Sequence, residues 1–261
     1  MNLGGINMKN ILSVEKIEKY YGNKGNITKA IDNISFKVGE GEFVGIMGPS
    51  GSGKTTLLNC ISTIDKVTTG NIIINDQDIT RLKSKKLDKF RQNELGFIFQ
   101  DFNLLENLTN RENIALPLSL QNVKTSAINP KVDKIAKRLG IDHILNKYPA
   151  EISGGQKQRL SIARGVIGQP PILILDDSTS ALDAKSEKLV QEALEHDLKD
   201  TTTVIIAEKI VSVMNADKIL VLDDGKLVAE GTHEELLKIS PIYQDIYRTQ
   251  KAKEKRGEID E

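Results

Sequence analysis

The sequence predicts an α/β fold in which helices surround a parallel sheet that carries a phosphate-binding loop. Short apolar strands alternate with helical stretches in the second half of the chain, a pattern typical of parallel sheets. A glycine-rich segment at 48–55 lies between a predicted strand and a predicted helix. Another apolar strand, at 171–175, runs directly into the carboxylate of Asp176.

Composition limits the chain to one large core and gives it no net charge. The 261 residues suffice for one hydrophobic core with a lobe added to it. Because 36 basic residues balance 36 acidic ones, no net field would attract nucleic acid or an anionic membrane. The single cysteine, Cys60, lies in an apolar helical context and predicts a buried thiol, not a disulfide or zinc ligand. Charges interrupt the N-terminal segment, and no apolar run reaches the about 18 residues of a membrane span, so we expect a soluble, cytoplasmic chain.

Predicted strands fall into two groups. A turn region rich in Gly and Asn, at 21–26, separates the first two strands. The first group comprises 12–18, 30–38, 42–47, 71–74 and a strand that begins at Phe97. In the second group, after the mostly helical stretch, the parallel-sheet core resumes with strands at 171–175, 203–207 and 218–222.

Predicted helices occupy the intervals between these strands. One begins at Lys54, directly after the glycine-rich segment, and a basic one covers 81–95. The stretch from about 101 to 150 is mostly helical in pattern, with loops expected near Pro130 and Pro149.

The C-terminal end contains a helix-start signal and a charged tail. Thr232 and Glu235 have the spacing of a capping box, which predicts the start of the last helix. The tail after Gln250 is charged and is expected to fray.

Residues 48–55 form a motif that holds phosphates. They read Gly-Pro-Ser-Gly-Ser-Gly-Lys-Thr, which fits G-x-x-x-x-G-K-[ST] in its strand–loop–helix context. The glycines let successive backbone amides point at phosphate oxygens, and the helix N-terminus adds partial positive charge. Lys54 is predicted to bridge the β- and γ-phosphates of a nucleotide, and the Thr55 hydroxyl to hold Mg²⁺. The alternative is an ordinary glycine turn, which the strand–loop–helix context disfavours.

Asp176 is the candidate for the second half of the metal site. In enzymes with such a phosphate loop, an Asp at the end of a neighbouring strand holds the water shell of Mg²⁺. Many buried strands end in Asp, so this assignment depends on the presence of the phosphate loop.

A second helix-start anion site is predicted at 153–156, which reads Ser-Gly-Gly-Gln. One nucleotide does not need two such sites from one chain. The two sites are explained if the second closes over a nucleotide held by another subunit. An ordinary Ser-capped helix is the alternative for this segment taken alone.

These motifs together resemble those of ATP-binding cassette (ABC) proteins. Four segments occur in the family's order and spacing: 48–55, 153–156, the strand to Asp176, and 180–183. The resemblance covers residues 8–250 and leaves a charged tail at 251–261. It implies a P-loop NTPase with a RecA-like core, an antiparallel β lobe and a helical lobe at about 101–165. It also implies a head-to-tail dimer that traps two ATP molecules.

By matching position, the resemblance implies further site residues. Tyr21, with Tyr20 as the weaker candidate, would stack on adenine. Gln100 would reach Mg²⁺ and the attacking water, and residues 101–120 would face a permease. The implied metal ligands are Thr55, Gln100 and Asp176. The implied nucleotide contacts are Tyr21, Gly48, Ser50, Gly51, Ser52, Gly53, Lys54, Thr55, Thr56, Ser153, Gly154, Gly155, Gln156 and Asp183.

Two catalytic positions depart from the family pattern. Asp177 stands where efficient members have Glu, and its shorter side chain retracts the carboxylate from the attacking water. Glu208 stands where the family has a His that donates to the γ-phosphate; an acceptor-only anion there would repel the transferring group. The histidines lie elsewhere, in helical or capping contexts: His143, His196 and His233. We therefore expect reduced hydrolysis; the alternative is that both residues are tolerated variants with normal turnover.

The two halves of the chain resemble different subfamilies. The first resembles stand-alone cassettes that partner macrolide- and bacitracin-type permeases, through segments 76–80, 95–105 and 112–118. From about residue 160 the chain resembles the degenerate cassette of heterodimeric multidrug exporters, through 177–183, 206–210 and 231–235.

The function expected from this resemblance is ATP binding, with slow hydrolysis, in the subunit that energises an ABC transporter. Export of a peptide antibiotic or a drug-like substrate is the favoured task. The expected partners are a membrane permease and a second cassette, in a homo- or heterodimer attached to the inner face of the cell membrane. One alternative is a non-transport ABC protein acting on the ribosome or DNA, although the basic run at 81–91 is typical of a solvated helix face. Another is a catalytically degenerate ATP-binding partner subunit.

Overall fold

A computed structural model describes residues 9–23, 25–176 and 201–255 of the chain. The described residues form two sheets and seven α-helices. The strands are β1 Asn10–Asn23, β2 Asn26–Gly39, β3 Phe43–Met47, β4 Thr69–Ile74, β5 Gln77–Asp78, β6 Leu95–Ile98, β7 Ile172–Asp176, β8 Thr202–Ile206, β9 Lys218–Asp223 and β10 Lys226–Gly231. The helices are α1 Lys54–Ile61, α2 Ser84–Glu94, α3 Asn110–Leu120, α4 Thr125–Arg138, α5 Gly154–Val166, α6 His233–Ile239 and α7 Pro241–Lys255.

The first sheet is antiparallel, with strand order β2-β1-β4-β5. Strands β1 and β2 form a long hairpin whose last pair is Asn23 and Asn26. The predicted turn region at 21–26 is therefore too long, because both strands continue into it. Gly22 makes the close approach possible: it has a φ of 110°, and a Cβ there would lie 1.9 Å from the carbonyl oxygen of Asn26.

The second sheet has strand order β10-β9-β3-β8-β7-β6, and all strands except β10 run parallel. Both of its faces are buried. On β8, for example, Val204 and Ile206 face the core shared with the antiparallel sheet and α1, whereas Ile205 faces the core shared with the helical region. Burial on both faces explains why these strands are continuous apolar runs in the sequence.

Helices α3, α4 and α5 pack together over one face of the parallel sheet. The predicted loop at Pro149 is confirmed, because Pro149 begins a short 3₁₀ turn. The loop predicted at Pro130 is wrong, since Pro130 lies inside α4. Pro130 itself is exposed, while Ile128 and Val132 are buried on the opposite side of the helix. Burial of this apolar face outweighs the backbone hydrogen bond that proline removes.

The C-terminal end of the chain forms two helices and differs in part from the prediction. The predicted capping box is confirmed: Thr232 accepts from the backbone N–H of Glu235, and the Glu235 carboxylate accepts from that of Thr232. It begins α6 and not the last helix, because α7 follows. Helix α7 continues to Lys255, so fraying directly after Gln250 is wrong for 251–255, and 256–261 lie outside the described residues. Within the part of the chain that the structure describes, every helix is too short or too polar to span a bilayer.

Candidate functional site

The phosphate loop lies between β3 and α1, as the sequence predicts. Its residues 48–53 pass close to two neighbouring strands. A Cβ on Gly48 would lie 2.1 Å from the carbonyl oxygen of Leu222 in β9, and one on Gly53 would lie 2.6 Å from that of Ala30 in β2. Both glycines also have positive φ values, 151° and 96°. Larger residues at these two positions would displace the loop from the sheet.

Lys54, the first residue of α1, reaches back over the loop. Its Nζ donates to the backbone carbonyl oxygens of Gly48, at 2.8 Å, and Pro49, at 2.9 Å. The ammonium is therefore held at the mouth of the loop, beside the exposed Thr55. An anion that enters the loop would meet a positioned cation and the N-terminus of a helix together.

A cleft of about 630 Å³ opens over this loop. The structure brings ten predicted site residues together in its lining: Gly48, Ser50, Gly51, Gly53, Lys54, Thr55, Thr56, Gln100, Asp176 and Glu208. Ser52 is not part of that lining. It is only 2% exposed, and its hydroxyl has no hydrogen-bond partner among the described residues. Any contact of its side chain with a nucleotide would therefore require the loop to move.

Asp176 lies at the end of β7, partly buried in the cleft. Burial raises the pKa of its carboxyl group. The charges of Asp101 and Glu208 raise the pKa further, whereas Lys54 lowers it. The negative charges of Asp101 and Glu208 thus act on Asp176 next to the phosphate loop, and this field favours a bound cation.

The donor atoms fit Mg²⁺. Thr55, Gln100 and Asp176 supply a hydroxyl, an amide oxygen and a carboxylate to the same cleft, and Mg²⁺ prefers oxygen ligands. A cation there would also offset the burial of the Asp176 carboxylate and the repulsion from Asp101 and Glu208, the causes that raise its pKa. Among the described residues, no group of three or more His, Cys, Asp or Glu side chains could hold a metal by itself. An ion in this cleft would therefore need water or phosphate oxygens to complete its coordination.

Tyr21 lies outside the lining of this cleft, on β1. Its ring is 40% exposed, and its hydroxyl donates a 2.7 Å hydrogen bond to Oδ2 of Asp65. Lys19 bonds Oδ1 of the same carboxylate, and its Nζ lies 4.8 Å from the centre of the Tyr21 ring. Burial, followed by the bond to Asp65, raises the pKa of Tyr21 to about 12. The ring is therefore fixed in place, while its stacking on adenine stays a prediction.

The second predicted anion site lies at the N-terminus of α5, away from the cleft lining. Ser153 and Gln156 form a capping box: the Ser153 Oγ accepts from the backbone N–H of Gln156, and Oε1 of Gln156 accepts from that of Ser153. Ser153 and Gly154 are exposed, and a Cβ on Gly154 or Gly155 would meet no atom within 4 Å. The segment thus presents an open surface on which another molecule can lie.

Several features of the cleft could not be found from the sequence. Its lining includes Asp224 and Gly225, from the turn between β9 and β10, and Ile246 of α7. The Gly225 N–H donates to the Ser52 carbonyl at 3.1 Å, which attaches that turn to the phosphate loop. A turn is visible in the sequence at this point, but nothing there indicates its long-range contact. Two predicted residues, Asp177 and Asp183, lie outside the described residues.

Comparisons with known proteins agree with this arrangement. The profile of the family described as "ABC transporter" matches residues 31–180. The chain is 46% identical over 226 residues to the ABC transporter ATP-binding protein YxdL of Bacillus subtilis (strain 168), which covers 85% of this chain and 87% of YxdL. It is 43% identical over 242 residues to the bacitracin export ATP-binding protein BceA of Halalkalibacterium halodurans, covering 92% and 95%. Among solved structures it is similar to the dimeric cassette MJ0796 in a post-hydrolysis state bound to ADP and Pi, with a TM-score of 0.80, 33% identity, and coverage of 85% and 98%.

Proposed function

Since the chain belongs to the ABC transporter family, we propose that it is the ATP-binding subunit that energises export of a peptide antibiotic or a drug-like molecule. The observation that carries the proposal is the cleft in which Lys54, Thr55, Gln100 and Asp176 meet. The similarity to a bacitracin export ATP-binding protein supports the class of substrate. A non-transport role on the ribosome or DNA is not favoured, because YxdL and BceA are both named as transporter ATP-binding proteins. The similarity covers most of the length of each.

In this proposal the triphosphate of ATP lies along the phosphate loop. Backbone N–H groups of residues 48–53 face the phosphate oxygens, and Lys54 exchanges its carbonyl contacts for the β- and γ-phosphates. When bound at Thr55, Gln100 and Asp176, Mg²⁺ would neutralise charge that develops on the phosphates. Gln100 also orients the attacking water, and Tyr21 holds the adenine ring from the side of β1.

Hydrolysis at this site is slow in the proposal, because two groups oppose the chemistry. Asp177 has a shorter reach toward the attacking water than a glutamate at the same position. Glu208 lines the cleft and adds to the negative field at Asp176. An acceptor-only carboxylate next to the γ-phosphate raises the energy of the transition state, where a hydrogen-bond donor would lower it.

Two cassettes complete the site by packing head to tail. The N-terminus of α5, with Ser153 to Gln156, closes over the nucleotide of the opposite subunit, and Asp183 contributes at the same junction. A homodimer would then contain two impaired sites. With a partner that has Glu and His at the two catalytic positions, one site turns over and the other retains ATP, as the resemblance to degenerate exporter cassettes suggests.

The membrane partner in this proposal is a permease subunit. Residues 101–120 face it and hold the cassette at the inner face of the cell membrane. The rate of ATP hydrolysis, measured for the chain by itself and in a mixed dimer, distinguishes an enzyme from a degenerate ATP-binding partner.

Calorimetric titration with Mg-ATP tests the proposed site. Lys54→Ala removes the cation at the mouth of the loop and is expected to weaken ATP binding at least about tenfold. Lys85→Ala, on the exposed face of α2, is the matched control and is expected to bind ATP like the parent. Equal affinities of the parent and Lys54→Ala would refute the assignment of this cleft to ATP.

A further inference from the structure

The loop that carries Glu208 is held at both ends. Its first residue, Ala207, is tied to the sheet, because its N–H donates to the Ile46 carbonyl at 3.2 Å. Beyond Glu208 the chain enters a short 3₁₀ turn, Ile210–Ser212, whose first residue is buried. Glu208 and Lys209, between these anchors, are exposed. The orientation of the Glu208 side chain therefore depends on what fixes the backbone between them.

Gln250 of α7 fixes that backbone. Its Nε2 donates a 2.6 Å hydrogen bond to the carbonyl oxygen of Glu208, and its Oε1 accepts one of 2.8 Å from the N–H of Ile210. One planar side-chain amide thus spans Lys209 and binds the backbone on both sides of it. This contact satisfies backbone groups that the end of β8 and the start of the 3₁₀ turn would otherwise leave to water.

Helix α7 is itself firmly seated, so Gln250 is a fixed support. Tyr243 is completely buried, and its hydroxyl lies 2.7 Å from Nδ1 of His233 in α6. Nε2 of Gln244 donates to the Leu237 carbonyl at the end of α6. Ile246, one turn before Gln250 on the same face of α7, lines the ATP cleft. The helix therefore reaches from a buried anchor to the edge of the candidate site.

We propose that Gln250 is a positioning residue that holds the Glu208 carboxylate beside Asp176 and so determines how strongly residue 208 acts on the γ-phosphate. The proposal rests on the function proposed above, in which Glu208 opposes hydrolysis. It has a consequence that a purely structural role lacks: releasing the loop weakens the effect of whatever side chain stands at position 208. With Glu208, release relieves repulsion; with a histidine there, release removes a stabilising donor.

The test measures kcat and KM for ATP with Gln250→Ala in two backgrounds, the parent and Glu208→His. We expect Gln250→Ala to raise kcat about threefold in the parent and to lower it about threefold in the Glu208→His background, with ATP affinity unchanged in both. Gln250→Met keeps the length of the side chain but removes its hydrogen bonds, so it should change kcat in the same directions. It replaces Gln250→Ala in the test if the smaller residue impairs folding. Thr249→Ala, an exposed position next to Gln250 on the same helix, is the control and should alter kcat in neither background.

Hydrogen exchange provides a readout that does not depend on hydrolysis. Exchange of the Ile210 amide should accelerate in Gln250→Ala and Gln250→Met but not in Thr249→Ala, because only the first two remove its acceptor. A change of kcat in the same direction in both backgrounds, or no change, would overturn the positioning role. If Glu208→His alone leaves kcat unchanged, the proposed opposition by Glu208 fails instead, so the two failures are distinguishable.

Discussion

Arg164, in the last turn of α5, donates a 2.6 Å hydrogen bond from Nη2 to the backbone carbonyl oxygen of Phe102. Its Nη1 donates a second, also of 2.6 Å, to the carbonyl of Asn103. Both loop residues have left-handed backbone conformations, with φ values of 60° and 45°. The forked guanidinium thus holds the strained turn that follows Gln100, and it connects that turn to the helix that begins with the Ser153 capping box.

Replacing Arg164 with lysine should destabilise the fold. A lysine ammonium is a point charge and cannot bind two carbonyls in the arrangement that the planar fork allows. We expect Arg164→Lys to lower the free energy of unfolding by about 1–3 kcal/mol, measured by urea denaturation. Arg159→Lys is the control on the same helix: its contacts, to the Gly155 and Leu139 carbonyls, are longer, at 3.3 Å. Equal losses in the two variants would contradict a special role for the fork.

Restoring the family's residues at both catalytic positions should accelerate hydrolysis. The double variant Asp177→Glu with Glu208→His supplies the longer carboxylate and a donor to the γ-phosphate. We expect kcat to rise about tenfold or more, with little change in nucleotide affinity. Steady-state ATPase assays and calorimetry measure the two quantities. Brisk turnover by the parent, or an unchanged rate in the double variant, would count against the impaired site.

Neutralising Asp176 should stabilise the chain in the absence of ligands while abolishing metal-dependent binding. Because the folded state raises the pKa of this carboxyl, the group contributes stability only below its unfolded pKa, and that contribution is lost as pH rises through the folded value. At pH 7 the charged carboxylate is therefore unfavourable, and Asp176→Asn should raise the free energy of unfolding by about 1 kcal/mol.

The difference should shrink as the pH is lowered, since the parent then becomes neutral at the same position. Asp133→Asn, which breaks an exposed pair with Arg111, is the control and should give no gain. Denaturation curves at pH 7 and at about pH 4, the ordinary range of a carboxyl pKa, make the comparison. A gain that persists unchanged at acid pH would show that charge is not its cause.

The head-to-tail arrangement can be tested through Ser153. In a mixture with a cassette that has the catalytic Glu and His, Ser153→Ala is expected to lower the ATPase rate about tenfold or more, because it removes a donor at the partner's nucleotide. Thr232→Ala removes an equivalent helix cap away from the site, so both variants should lose about 1 kcal/mol of stability. Only Ser153→Ala should affect the rate; an unaffected rate in that mixture would refute the asymmetric sandwich.

The sequence predicted the parts of this molecule that are determined locally. The phosphate loop, the helix start at Ser153, the capping box at Thr232 and the buried Cys60 all follow from short patterns, and the structure places them as expected. Pro130 was mispredicted because the burial of its helix depends on residues far along the chain. The role of each predicted site residue in binding or catalysis stays a prediction.

Contacts between residues far apart in the chain could not be predicted either, because short sequence patterns do not show which distant segments meet. Gln250 lies 42 residues from Glu208, directly before the stretch that the sequence predicts to fray. Arg164 lies 62 residues from the turn that it holds at Phe102. Neither residue belongs to a motif, because each one hydrogen-bonds to backbone groups, which do not depend on the residue type of the partner.

The central position of β3 determines when the protein can first bind nucleotide during its synthesis. Strand β3 is paired on both sides by late strands: Val44 pairs with Val204 on β8 and with Lys218 on β9. At ribosomal rates of about 5–20 residues per second, the strand emerges roughly 10 to 30 seconds before its partners. During that interval the nascent chain carries an apolar strand with two open edges, which is a target for chaperones. ATP can therefore assist only the last stage of folding, once the chain has been translated through the turn at Asp224 and Gly225.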